Sequence, residues 1–155
     1  MTANDYQVGG DHYRSAYIHW DWVIKIGLGY LDGQASKYLV RFRKKGGESD
    51  LCKAIHYVEK LVENADRIVS TRRNLKLVRK ETMAFARANG LVPEVAAVVM
   101  RLATWEIVED LHEVVIAMQV LLDRPLASQP DTAPVPAEDS NKHAERERMV
   151  PRYES

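Results

Sequence analysis

An all-α helical bundle with a glycine-rich N-terminal loop is the fold class this chain predicts, on three observations. Apolar residues recur at helical spacing through most of the chain before Pro125, and nothing reads as a long alternating strand. Glycine, Asn-Gly and proline signals stand at the ends of those periodic stretches, where helices stop and start. The stretch from Val95 to Leu122 is apolar with recurring acids and has more apolar surface than one small domain easily covers, so partner helices are expected.

The first element is the glycine-rich string. In Tyr6-Gln7-Val8-Gly9-Gly10-Asp11-His12-Tyr13, adjacent glycines permit positive φ and close backbone approach to a ligand. The bland alternative is a glycine turn into a first helix, and a short β-ribbon near Tyr6 to Tyr17 also fits. Trp20, Val23, Ile24 and Gly27 suit a short first helix that ends at the glycine. Trp20 and Trp22 cannot both face the core of one helix, which puts one ring at an interface or a ligand.

Ala35, Tyr38, Leu39 and Phe42 stripe a second helix terminated by Gly46-Gly47. Leu51, Ile55, Val58, Leu61, Val62, Ala65, Ile68 and Val69 stripe a long third, starting near Ser49 or Asp50, either of which can cap it. Leu75, Val78, Met83 and Phe85 suggest a fourth, closed by Asn89-Gly90. Pro93 suits the first turn of the last helical stretch, which is either one long helix or two broken near Ala103-Thr104. Its stripe of Val98, Leu102, Trp105, Val108, Leu111, Val115, Met118 and Leu122 tracks close to a heptad.

Residues 1–126 therefore read as one helical domain, with oligomerisation helices over 75–123. Residues 127–155, first rich in Pro, Ala, Ser and Asp and then mostly charged, read as a disordered tail; a short amphipathic helix at Asn141 to Met149 is the alternative.

At 155 residues the chain makes one domain, and its 22 basic and 22 acidic residues leave no global field for nucleic acid or an anionic membrane. The single cysteine, Cys52, excludes an internal disulfide. Inside an apolar helical pattern it reads as a structural thiol in a reducing cytoplasm. No apolar run reaches membrane-spanning length and the N-terminus lacks signal-peptide regions, so a cytoplasmic protein is expected.

Several groups carry chemistry. Lys37, Arg41 and Lys44 or Lys45 recur at spacings of three and four on the second helix, as one cationic ridge suited to phosphate or as a solvated helix face. Gly46 and Gly47 precede a helix N-terminus, where free N–H groups and the dipole favour an anion. No P-loop and no G-x-G-x-x-G fingerprint is present. Glu48 and Asp50 suit Mg²⁺ or helix capping, and His12 and His56 are the candidates for proton chemistry. Asp11 suits a nucleotide base edge or ribose, or a turn. Tyr6, Tyr13, Tyr30, Trp20 and Trp22 offer aromatic faces for stacking on a base. Glu63 with Asp66, and Glu106 with Glu109, form E-x-x-D and E-x-x-E pairs of the kind that hold Mg²⁺ in all-α pyrophosphohydrolases of the MazG type, though in reversed order; ordinary surface pairing is the alternative.

The blocks Tyr6–Tyr13, Leu28–Gly33, Lys37–Gly47 and Asp50–Glu59, in that order over about residues 5–65, resemble a family of small phage proteins. That family was long of unknown function and includes a T-odd coliphage deoxynucleoside monophosphate kinase without a Walker A motif. The resemblance implies a cytoplasmic protein of the infected cell that moves a terminal phosphoryl group from a nucleoside triphosphate, with Mg²⁺, to a deoxynucleoside monophosphate. Asp11, His12 and Arg41 would act in catalysis. Gly9, Gly10, Tyr13, Lys37, Arg41, Arg43, Lys44, Lys45, Gly46 and Gly47 would hold the nucleotide. Sequestration of a nucleotide or cyclic-nucleotide defence signal in a symmetric oligomer needs the same cage without turnover. Metal-dependent pyrophosphohydrolysis and a purely structural oligomer complete the alternatives.

Overall fold

The computed structural model describes residues 17–68 and 74–124. The glycine loop at Gly9-Gly10 with Asp11, His12 and Tyr13, and the 127–155 tail, lie outside them, as does all of the β-ribbon segment except Tyr17. The described residues form six α-helices and one π-helical turn, with no strand. These are α1 His19–Ile26, α2 Tyr30–Arg41, the π turn Phe42–Gly46, α3 Gly47–Val62, α4 Leu75–Ala88, α5 Pro93–Thr104 and α6 Val108–Leu122.

Local signals set most helix ends. Gly27 takes φ 71° and closes α1 with its N–H on the carbonyls of Val23 and Ile24. Asn74 caps α4 by accepting from the Leu77 N–H at 3.1 Å. Pro93 opens α5. The apolar run 95–122 is two helices: α5 ends at Thr104, and α6 restarts where Asp110 Oδ2 accepts from the N–H groups of Glu106 at 2.8 Å and Ile107 at 3.1 Å. A carboxylate three residues after the N-cap Ile107 thus satisfies donors that the turn would otherwise leave open.

Helix α2 packs most extensively on α3; α3 lies on α6, α6 on α5, and α5 on both α2 and α4, while α1 bridges α4 and α2. Two rings of helices share the α2–α5 edge. Their common core includes Trp22, Leu39, Leu51, Val58, Phe85, Val99, Leu102, Leu111 and Met118. The Trp22 and Phe85 rings stack with centroids 4.6 Å apart, and the indole N–H donates to Thr82 Oγ1 at 3.3 Å, so its one polar atom is matched inside.

Three expectations change. The buried face of α1 is Trp22 and Ile26, while Trp20 and Ile24 point outward at 46% and 77% exposure. Both stripes have helical spacing in HWDWVIKI, and the stack with Phe85 selects between them. The third helix ends at Val62, and Ala65 and Ile68 pack on the core from the turn after it. Finally, Leu102, Trp105, Leu111 and Met118, expected to need a partner, are all covered within the chain. Splitting the run into two helices lets α5 and α6 cover each other. Ile107, Ile116 and Val120 are the large apolar side chains that α6 and its approach leave outside.

Candidate functional site

The α2–α3 face carries an open groove of about 470 Å³, lined by Tyr38, Ser49, Cys52, Lys53, His56 and Tyr57. Ser49, Cys52, Lys53 and His56 come from successive turns of one face of α3, and Tyr38 rises from α2 beside them. Tyr38 and Tyr57 stack nearly parallel, centroids 5.8 Å apart and planes 13° apart. Tyr30 meets Tyr57 edge-on at 6.3 Å. Cations flank the same ring: the Arg41 guanidinium lies 4.7 Å and the Lys53 ammonium 5.5 Å from the Tyr38 centroid. The hydrogen bond Tyr57 shares with Tyr30 favours the protonated phenol and, with some desolvation, pushes it up from its ordinary value.

Both cations bond Asp50, which is at 2% exposure. Its carboxylate accepts from Arg41 Nε at 2.7 Å and Nη2 at 3.1 Å, a two-point fork, and from Lys53 Nζ at 3.2 Å. Burial pushes the Asp50 carboxyl up, and the bonds and charges of Arg41 and Lys53 outweigh it, holding the group below the ordinary carboxylate range. A side chain on Gly46 would put its Cβ 1.9 Å from Asp50 Cγ, so glycine there is a steric requirement of the carboxylate's position. Gly47, at φ 52°, turns the backbone from the π turn into α3.

This arrangement changes the expected cradle. The carboxylate packs against Gly46 at the start of α3, the place where the glycine pair was expected to receive phosphate. The expected ridge also disperses. Arg41 turns to Asp50, Lys44 donates to the Asn89 carbonyl at 3.1 Å, and the Lys37 charge acts on His19 of α1. The π turn is the reason: its extra residue per turn breaks the 3.6-residue period on which the ridge depended, so Lys44 and Lys45 leave the Lys37–Arg41 face. Arg43 lies in that turn with its guanidinium 5.6 Å over the Phe42 ring, and its Nε is buried with no hydrogen-bond partner among the described residues.

Cys52, expected in the core, is exposed in the groove. His56 is also exposed, with Nδ1 3.9 Å from Glu59 Oε2. Among the stacking candidates, Trp20 and Tyr30 present their rings outward, and Trp22 is fully buried. Glu48 lies in the first turn of α3, and Asp50 serves Arg41 and Lys53. Glu63 pairs with Lys60 at 2.6 Å, Asp66 lies in a turn after α3, Glu106 precedes α6 and Glu109 lies in its first turn. Among the described residues no three His, Cys, Asp or Glu side chains come together to hold a metal ion, so these four do not assemble the expected Mg²⁺ site.

A polar cluster between α1, α2 and α4 lies outside the sequence-based expectations. His19 Nε2 lies 2.9 Å from Ser36 Oγ, and Ser36 donates its own proton to the Gly33 carbonyl at 2.9 Å. The imidazole is therefore the donor in that contact, and the hydroxyl is not activated as a nucleophile. Burial, with a contribution from the Lys37 charge, lowers His19 to about 4. Glu81 accepts from the Tyr17 hydroxyl and from Lys25, each at 2.9 Å. Burial and the Glu81 bond push the Tyr17 phenol up to about 12. Asn89 Nδ2 donates to the carbonyls of Tyr17 and Phe85. The cluster ties the start of the described chain to α4 and is structural. Its only signal in the sequence is a histidine and a serine on adjacent helices, which is too common to stand out.

No described helix is long and apolar enough to cross a membrane. No family model, no curated protein and no solved structure matches the chain.

Proposed function

We propose that the protein binds a nucleotide in the α2–α3 groove, as a phage nucleotide-handling protein without a P-loop. The observation that carries this reading is the stacked Tyr38–Tyr57 pair with the Lys53 ammonium beside it: aromatic faces accept a base of any sequence, and a neighbouring cation accepts its phosphate. The resemblance over residues 5–65 supports phosphoryl transfer, a deoxynucleoside monophosphate kinase using Mg²⁺ and a nucleoside triphosphate; Asp11 and His12, which it would assign to catalysis, lie outside the described residues. The two-point Arg41–Asp50 pair favours the second reading, retention of the ligand without turnover. A guanidinium held by a buried carboxylate is already spent on structure and is not free to stabilise a transferring phosphoryl group.

Self-association belongs to the same reading and would run through Ile107, Ile116 and Val120, the large apolar side chains left outside α6 and its approach.

The test has two parts. Calorimetry of the full chain against nucleotides gives the affinity, and Tyr57→Ala lowers it about tenfold, since stacking on an aromatic contributes ~1–3 kcal/mol per base. Unchanged affinity in a folded Tyr57→Ala protein removes the groove from the reading. Long incubation of labelled deoxynucleoside monophosphate with ATP and Mg²⁺ then separates the two outcomes: label recovered unchanged supports retention, and label in the diphosphate supports the kinase.

A further inference from the structure

We infer that the basic outer face of α4 receives the acidic outer face of α6 from a second copy of this chain, the two copies being exchanged about a two-fold axis that runs along α5. The inference rests on the self-association reading above and names the surface that meets Ile116 and Val120. Helices α4, α5 and α6 form one layer with α5 in the middle, and α1, α2 and α3 back them one for one, so α4 and α6 stand at opposite edges of that layer.

The two edges carry opposite charge. Helix α4 exposes Lys76, Lys80, Met83 and Arg87 at gaps of four, three and four, a straight stripe roughly 16 Å long on the side away from the buried Val78, Thr82 and Phe85. Arg79 is exposed beside it. The single acid of α4, Glu81, is buried and bonded to Tyr17 and Lys25, so the outer face holds four cations and no acid. Among the described residues none of those four cations is paired with an acid. On α6, Glu109, Glu113, Ile116 and Val120, with Asp123 at the helix end, follow at gaps of four, three, four and three, a stripe roughly 21 Å long on the side away from Leu111, Val114 and Met118. Arg101 of α5 engages Glu113, which leaves Glu109 and Asp123 to a partner. Each stripe also exposes apolar surface: Met83 at 48%, Ile116 at 60% and Val120 at 47%.

This charge pattern selects the axis. A two-fold axis across α5 would lay α4 on its own copy, cation against cation, and α6 on its own copy, acid against acid. An axis along α5 lays each basic stripe on an acidic one, makes both contacts alike, and puts the apolar side chains of both stripes into one interface. Between them α5 presents the small Ala97, with Glu94 and Arg101 already tied to Arg124 and Glu113 at the α6 side, so the centre adds neither bulk nor loose charge. A nucleic acid would match the cations of α4 and leave the apolar stripe of α6 uncovered, so the second copy is the better fit.

Sedimentation of the full-length protein tests this. The parent is expected to be a dimer at micromolar concentration, weakened by added NaCl. Lys76→Glu/Lys80→Glu and, separately, Glu109→Lys/Asp123→Lys are each expected to weaken the dimer tenfold or more with the helical spectrum retained. An equimolar mixture of the two is expected to restore it, because each reversed stripe then meets a reversed one and each unaltered stripe an unaltered one. General destabilisation cannot produce that rescue. If the reversed α4 pair does not fold, Lys76→Gln/Lys80→Gln, which removes charge alone, decides by the same loss of affinity. A dimer that either folded α4 variant leaves intact, or a mixture that stays monomeric, overturns the α4 surface and leaves self-association to α6 alone. A monomeric parent overturns both, and if that monomer binds a single-stranded oligonucleotide through Lys76 and Lys80 the basic face belongs to nucleic acid instead.

Discussion

Asp50 shows how one residue couples fold and site. It joins α2 to α3 through Arg41, gathers Lys53, and requires glycine at position 46. Gly46→Ala forces the new methyl onto the carboxylate and breaks the fork; loss of a buried pair in this way costs about 3 kcal/mol. Urea denaturation should show that loss, and a variant within about 0.5 kcal/mol of the parent would mean that Asp50 moves aside freely. Because the folded pKa of Asp50 is depressed, its contribution is fully present above the ordinary carboxylate value of about 3.9 and is lost as the pH falls below it through the folded pKa. His19 acts in a higher window. Its folded pKa of about 4 lies below the ordinary 6.5, so the unfolded chain binds the extra proton between those values, and stability falls as the pH drops from 6.5 toward 4. The slope approaches about 1.4 kcal/mol per pH unit. Replacement by Gln, which keeps a donor toward Ser36, should flatten that part of the stability profile; an unaltered slope in His19→Gln would assign the acid sensitivity elsewhere.

At the scale of elements, two interruptions decide the architecture. The π turn Phe42–Gly46 rotates the basic residues after Arg41 away from α2's cationic face and leads into the backbone turn at Gly47 that lays α3 alongside α2. The break at Trp105–Ile107 folds α6 back on α5 and α3, and Asp110 supplies its carboxylate cap. Asp110→Ala should cost about 1 kcal/mol, in the usual range for a lost helix cap. Thermal denaturation reads this as a lowered Tm with the helical spectrum retained. An unchanged Tm would show that packing of Leu111 and Val114 alone sets the start of α6.

The whole molecule buries the apolar run 95–122 by folding it on itself, so substitutions on its two faces should behave differently. Leu111→Glu places a charge at a position with no exposed surface and should cost more than about 3 kcal/mol whatever the protein concentration. Ile116→Glu, at 60% exposure, should stay within about 0.5 kcal/mol of the parent in the separated chain. If the exposed α6 face carries an assembly, light scattering will show the Ile116→Glu protein at lower mass than the parent while its fold persists. Equal destabilisation by the two variants would contradict the inside–outside assignment of α6.

The sequence by itself determined the all-α class, the helix stops at Gly27 and Asn89-Gly90, the start at Pro93, and that one of Trp20 and Trp22 faces outward. Each of these comes from local backbone chemistry or from a period of 3.6, which act over a few residues. Tertiary structure alone decided which tryptophan is buried, because both stripes of α1 are apolar and only the Phe85 ring on α4 distinguishes them. It also decided that Arg41 belongs to Asp50, that Cys52 faces a groove, that Tyr57 completes a stack with Tyr38, and that His19 is held by Ser36. The first three depend on how α3 is laid against α2, and the last on how α1 meets α2. Between α2 and α3 stand a π turn and a glycine with positive φ, whose effect on direction no periodic pattern records.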